Sequence, residues 1–130
     1  MSTLTKVLEK NVAEIEKNAD MTEGRFRLGH HLMPPMGWLN DPNGLCWYKG
    51  RYHVFFQYAP FDVEGGLKFW GHYTSEDLVD WKYEGTALYP DSPYDCHGVY
   101  SGSAFTEHGK MHLFSTGNVK IDGDYVYIKE

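Results

Sequence analysis

The chain follows two hydrophobic periods, one in its first nineteen residues and another in the rest. Leu4, Val7, Leu8, Val12, Ile15 and Ala19 recur at the spacing of one helix face, while Lys6, Glu9, Lys10, Glu14, Glu16 and Lys17 cover the other faces. The spacing predicts a single amphipathic helix, capped by Ser2 or Thr3 and ended by Gly24 at the latest. Its apolar stripe is expected to pack on the main body, with docking of a partner as the alternative. From Arg25 to Met36 the helical period is lost, and Pro34-Pro35 enforces an extended approach to the segment at Trp38.

From Leu45 onward the pattern changes to short aromatic and β-branched runs separated by turn residues. Strands are predicted at Leu45 to Tyr48, Tyr52 to Tyr58, Phe69 to Thr74, Trp81 to Glu84, Val99 to Phe105, Met111 to Thr116 and Tyr125 to Lys129. Lys49-Gly50-Arg51 is a hairpin signal, and His108-Gly109 and Asp122-Gly123 suit tight turns. No second helix is legible, so the bulk is all-β. The run Gly50-Arg51-Tyr52-His53-Val54-Phe55 recurs as Gly109-Lys110-Met111-His112-Leu113-Phe114, an offset of about 59 residues, each copy behind a short strand and a turn. A unit of that length with about four short strands matches a propeller blade better than a sandwich. Propellers close with roughly four to eight blades, so fewer than two periods cannot close a ring, and uncovered blade faces favour self-association.

Between the helix and the first hairpin lies Trp38-Leu39-Asn40-Asp41-Pro42-Asn43-Gly44, in which Asp-Pro and Asn-Gly stack two turn signals. Asp41 is therefore expected at a bend rather than inside an element. A carboxylate fixed there, with Trp38 offering an apolar face and Asn40 an amide for hydroxyls, suits sugar chemistry, although such turns are common without function.

Composition narrows the function classes. The 130 residues carry 4 Trp, 10 Tyr and 7 Phe, about twice the aromatic share of an average domain, which suits a β-rich protein that handles carbohydrate. A formal charge of -6 without a basic block argues against nucleic acid as a partner. No apolar run reaches the roughly 18 residues of a membrane span, and the charged start does not resemble a signal peptide, so neither a membrane nor secretion is expected and the chain reads as cytoplasmic. Cys46 and Cys96 lack metal or disulfide-framework spacing. Of the seven histidines, His30-His31 are adjacent, a poor geometry for one ion. His53 and His112 occupy equivalent repeat positions, which predicts a shared structural role, and His72 is expected to be a hydrogen-bonded core residue. No metal or cofactor is implied.

Taken together, these residues resemble the N-terminal part of glycoside hydrolase family 32, the β-fructofuranosidases. The resemblance runs from about Arg27 to the end. It rests on His31-Leu32-Met33-Pro34-Pro35 with Trp38 to Gly44, on Phe56-Gln57-Tyr58-Ala59-Pro60, on Trp70-Gly71-His72 with Ser75-Glu76-Asp77-Leu78 and Trp81, and on Tyr100-Ser101-Gly102-Ser103-Ala104. It implies the opening blades, about two, of a five-bladed β-propeller over residues 25–130, preceded by a helix and linker over 1–24. Within the family, the helical leader is most similar to the intracellular sucrose-6-phosphate hydrolases.

By the same resemblance Asp41 would be the nucleophile on a fructosyl anomeric carbon, a role that suits a carboxylate ionised at neutral pH. Asn40 and Gln57 would hydrogen-bond fructose hydroxyls, and Trp38, Leu39, Tyr100 and Ser101 would complete the substrate pocket. The family's second carboxyl, a glutamate in a Glu-Cys motif, and its Arg-Asp-Pro motif do not occur in these residues. Asp62, Glu64, Asp91 and Asp95 are acids by type but read as solvated loop residues. Gly65 stands where the family often has a substrate-contacting tryptophan. No cationic cluster for a phosphate is identifiable, which leaves sucrose, sucrose 6-phosphate and fructans open as substrates. A non-catalytic sugar-binding fragment of the fold is the alternative, and a related five-bladed arabinan or xylan hydrolase is a third reading.

Overall fold

In the computed structural model of the protein, residues 2–19, 27–28 and 31–121 and the backbone of 124–129 are described. Gly24, His30 and the Asp122-Gly123 turn lie outside them. Helix α1 spans Thr3–Lys17, and Ser2 is its N-cap, its hydroxyl accepting from the Thr5 amide at 3.0 Å. Seven strands complete the fold: β1 Trp38–Tyr48, β2 Arg51–Ala59, β3 Phe69–Ser75, β4 Trp81–Leu88, β5 Val99–Glu107, β6 Lys110–Ile121 and β7 Asp124–Lys129. All seven predicted runs are strands. They form two antiparallel meanders, β1-β2-β3-β4 and β5-β6-β7.

The two halves of the sequence repeat occupy matching places, each being the turn and second strand of its sheet. Lys49 and Gly50 (φ 49° and 79°) join β1 to β2, and His108 and Gly109 (φ 48° and 72°) join β5 to β6. Positive φ at both central residues gives the turn a twist that matches the flanking strands.

The stretch around Asp41 differs from expectation. It is not a turn between elements but part of β1, whose pairing with β2 slips between Asn40 and Pro42 and again between Asn43 and Cys46. The residues that signal turns are accommodated as bulges, where Asp41 takes φ 43°. Pro42, which has no amide to donate, is tolerated because β1 is the edge of its sheet.

Pleating divides β2 between two cores. Phe56 and Tyr58 join Val12, Phe69 and Tyr73 beneath α1, while Phe55 joins Trp70 and Val99 between the sheets. The helix packs Leu8 and Val12 of its predicted stripe on that core, but not the start of the stripe. Leu4 and Val7 are exposed, and Thr5 and Val12 are buried. Glu16, assigned by spacing to an outer face, accepts hydrogen bonds from the Tyr83 hydroxyl at 2.7 Å and the Tyr58 hydroxyl at 3.1 Å. Burial and that carboxylate push both phenols well above their ordinary pKa. A second polar tie joins the Thr5 hydroxyl to Asp91. Polar anchors therefore hold α1 alongside the apolar contacts of Leu8 and Val12. Among the described residues no helix is long and apolar enough to cross a membrane.

Candidate functional site

The bulge at Asp41 is braced from both sheets. The Asn43 side chain, only 7% exposed, donates to the Asp41 carbonyl at 2.9 Å and accepts from the Gly102 amide of β5 at 3.4 Å. The Ser101 hydroxyl donates to the Asp41 carboxylate at 3.4 Å across the same boundary. Ser101 reaches it because β5 also slips in register, between Tyr100 and Ser103. Gly102 at that slip runs so close to β6 that a Cβ would lie 1.8 Å from the Phe114 carbonyl oxygen. Ser101-Gly102-Ser103 is thus a strand bulge, not a turn.

Gln57 is 3% exposed and donates to the Val99 carbonyl at 2.9 Å. Its second N–H and its oxygen are what it can offer a hydroxyl. The Trp38 indole N–H donates to the Asn40 side-chain oxygen at 2.8 Å, so that amide presents its N–H groups outward. Trp70 donates to the Tyr100 carbonyl at 3.1 Å and fixes the start of β5.

Asn40, Asp41, Gln57, Tyr100 and Ser101 line one open cavity of about 370 Å³ with Lys68 and Thr116. Five of the seven predicted site residues therefore converge. Trp38 stands beside them through its bond to Asn40. Leu39 does not join them, because alternation along β1 turns it to the core of Phe56 and Tyr58. Lys68 and Thr116 are absent from the sequence reading. Lys68 carries one weak signal, a lone cation in the apolar run Leu67 to Trp70. Thr116 carries none, and its hydroxyl donates to the Ser101 carbonyl at 3.1 Å. Burial lowers the Lys68 pKa, and the Asp62 and Asp41 charges oppose that shift.

Of the other acids, Asp62 and Glu64 are exposed, and Asp62 accepts from the Glu64 amide. Asp91 and Asp95 lie on the loop after β4 as expected, but they are partly buried and hydrogen-bonded rather than solvated. Asp91 holds Thr5 of α1, and Asp95 accepts from the Ser92 amide at 2.8 Å. None of the four lines the cavity.

The histidines separate. His53 and His72 stack and share a hydrogen bond at 2.9 Å, and Phe55 also stacks on His72. Burial, and next the neighbouring His53, lower the His72 pKa to about 4, against a smaller opposite pull from Glu84. His72 is thus hydrogen-bonded as expected, but it is half-buried at the edge of the core rather than within it. His112 is exposed, so the shared role expected for His53 and His112 does not hold. The repeat equates backbone positions, but β3 supplies a stacking partner only to His53. Among the described residues no three His, Cys, Asp or Glu converge as a metal site would require.

Comparison with known proteins gives a consistent result. The model of the glycosyl hydrolases family 32 N-terminal domain matches residues 31–127. The chain is 51% identical to sucrose-6-phosphate hydrolase of Bacillus subtilis over 108 residues, covering 82% of this chain and 22% of that protein. It is 47% identical to raffinose invertase of Escherichia coli over 92 residues, covering 71% and 19%. Among solved structures, sucrose-6-phosphate hydrolase from Lactobacillus gasseri aligns with TM-score 0.80 and 38% identity, over 92% of this chain and 24% of that one. The Bombyx mori β-fructofuranosidase, a variant of which was solved with sucrose, aligns with TM-score 0.84 and 34% identity, over 95% and 26%. The chain spans about a fifth of the length of the curated relatives it matches.

Proposed function

Because the chain belongs to glycosyl hydrolase family 32, we propose that the protein carrying it is a retaining glycosidase of β-D-fructofuranosides with Asp41 as nucleophile. The family's N-terminal domain is a five-bladed β-propeller, of which the two sheets are a part. Residues 25–130 open that catalytic domain in this reading, and residues 1–24 are the helix and linker ahead of it.

In this reading the Asp41 carboxylate attacks the anomeric carbon of the fructosyl unit as the glycosidic bond breaks and the departing oxygen takes a proton from a second carboxyl. Water that gives its proton back to that carboxyl then hydrolyses the covalent ester, freeing Asp41 and releasing fructose with its configuration kept. Asn40 and Gln57 bind fructose hydroxyls, the Ser101 hydroxyl orients the nucleophile, and Trp38 and Tyr100 wall the pocket. Retention needs a second carboxyl about 5 to 5.5 Å from the first. Only Asp41 among the described acids lines the cavity, so the proton donor is assigned outside these residues. The free thiols Cys46 and Cys96 suit a reducing compartment, which supports a cytoplasmic location in this reading.

The observation that carries the reading is the convergence of residues from β1, β2 and β5 on one carboxylate. The test is fructose release from sucrose by the full-length protein, with the first-formed anomer followed by NMR. Retention that disappears with Asp41→Asn supports the assignment. Inversion, or turnover that survives the substitution, removes Asp41 from the role.

A further inference from the structure

Lys68 is held in the cavity more elaborately than a solvated lysine needs. Its carbonyl accepts from the Val99 amide at 2.9 Å, which ties its backbone to β5. Its ammonium donates to the Gly65 carbonyl and stands 5.7 Å from the centre of the Trp38 ring. Gly65 has φ 104°, and a Cβ there would lie 2.9 Å from the Lys68 nitrogen and 3.6 Å from the Trp38 indole. A side chain at position 65 would occupy the space the ammonium takes, so glycine in place of the family's frequent tryptophan is what seats the cation there.

Among the described residues no carboxylate lies within ion-pair distance of Lys68, whereas Arg51 and Lys82 are paired with Glu76 and Glu84. Asp41 and Asp62 support the Lys68 charge from beyond ion-pair distance, while its ammonium has one hydrogen-bond acceptor, the Gly65 carbonyl, and keeps N–H groups for a ligand. Hydroxyls of a neutral sugar need no cation, but a phosphate does, and lysine serves as a point charge for it. The Asp41 and Asp62 charges alone would repel an anionic substrate from this cavity, and Lys68 opposes them.

We propose that Lys68 is the residue of this cavity that recognises a phosphate carried by the sugar and so sets the preference between a phosphorylated and a neutral β-fructofuranoside. The proposal rests on the fructosidase reading of the site, and its test separates the two. Full-length protein and its Lys68→Met, Lys68→Gln and Lys68→Arg variants are assayed on sucrose 6-phosphate and on sucrose at two salt concentrations. The Met and Gln variants lose about 30-fold more kcat/KM on the phosphorylated sugar than on sucrose, mainly through KM. Arg restores part of the difference, and salt narrows the wild-type preference. Equal losses on both sugars overturn the proposal and make Lys68 a support of Asp41 or of the loop.

Calorimetry of both sugars on Asp41→Asn protein, with and without Lys68→Met, reads the same preference without turnover. If the wild-type full-length protein releases no fructose but the phosphate-dependent affinity still disappears with Lys68, the fructosidase reading falls and the phosphate site stands. No preference for the phosphorylated sugar in the Asp41→Asn protein sinks the site.

Discussion

The buried amide of Gln57 in β2 is hydrogen-bonded at 2.9 Å to the main-chain carbonyl of Val99 in β5, 42 residues away. One side chain thus faces the candidate pocket and fastens the sheets that form it. Gln57→Ala in the full-length protein is expected to lower kcat/KM by about 1 to 3 kcal/mol and stability by about 1 kcal/mol or more. Steady-state kinetics and thermal melts read both. Unchanged kinetics with a lowered melting temperature would make Gln57 a fastener only.

Asp41→Asn should reduce kcat roughly ten-thousand-fold or more, because the amide keeps the shape and loses the nucleophile. Asn also tolerates the left-handed backbone that Asp41 adopts at φ 43°. The melting temperature is therefore expected to move by no more than about 2 °C. Asp41→Ala should be less stable than Asp41→Asn by about 1 kcal/mol, which compares backbone strain directly.

Gly102→Ala should cost about 3 kcal/mol or more, since its methyl would meet the Phe114 carbonyl at 1.8 Å and the obstacle is backbone. Circular dichroism and melting of the variant measure this. A near-native melt would mean that the bulge at Ser101 relaxes freely.

Stability should fall as acid is added across the interval from pH 6.5 to about 4. The folded His72 has its pKa lowered from 6.5 to about 4, so below pH 6.5 the unfolded chain takes up a proton that the folded state refuses. The contribution is full above pH 6.5 and is lost as the pH drops toward 4. For a half-exposed ring the change is about 1 to 2 kcal/mol. His72→Gln should flatten melting temperature against pH over that interval, and an unaltered slope would assign it to other groups.

The 130-residue chain by itself is expected to self-associate and to release no fructose from sucrose. Leu45, Trp47, Phe105 and Phe114 are exposed apolar side chains, and β4 and β7 are sheet edges with backbone groups to pair. Light scattering and a prolonged fructose assay decide the two claims. A stable monomer contradicts the first, and fructose release would place the proton donor among these residues.

The sheets were legible because their signals are local. Short aromatic and β-branched runs between turn residues marked every strand, and Lys49-Gly50 and His108-Gly109 marked the two matching hairpins. Misreadings arose where a distant partner decides. Asp-Pro and Asn-Gly announce a bend, yet pairing with β2 makes that bend a bulge within β1. Glu16 belongs to a polar face by spacing until Tyr58 and Tyr83 are brought beneath it. His53 and His112 are equal by repeat and unequal once β3 places His72 beside only one of them. The site residues came from the motifs, whereas Lys68 and Thr116 needed the cavity, because neither is distinctive until β5 and β6 are folded against β1.

The attachment of α1 has a dynamic counterpart. The helix is fixed by Leu8 and Val12, by the Thr5 tie to Asp91 and by Glu16 under two tyrosines, with Leu4 and Val7 in solvent. Elements with few buried apolar contacts open independently of the global unfolding event and at lower free energy. Amide hydrogens of α1 should therefore exchange well ahead of those in β2 and β3. Each opening uncovers the aromatic face of Phe56, Tyr58, Phe69 and Tyr73, so the lifetime of the closed helix governs how often proteases and chaperones meet that face.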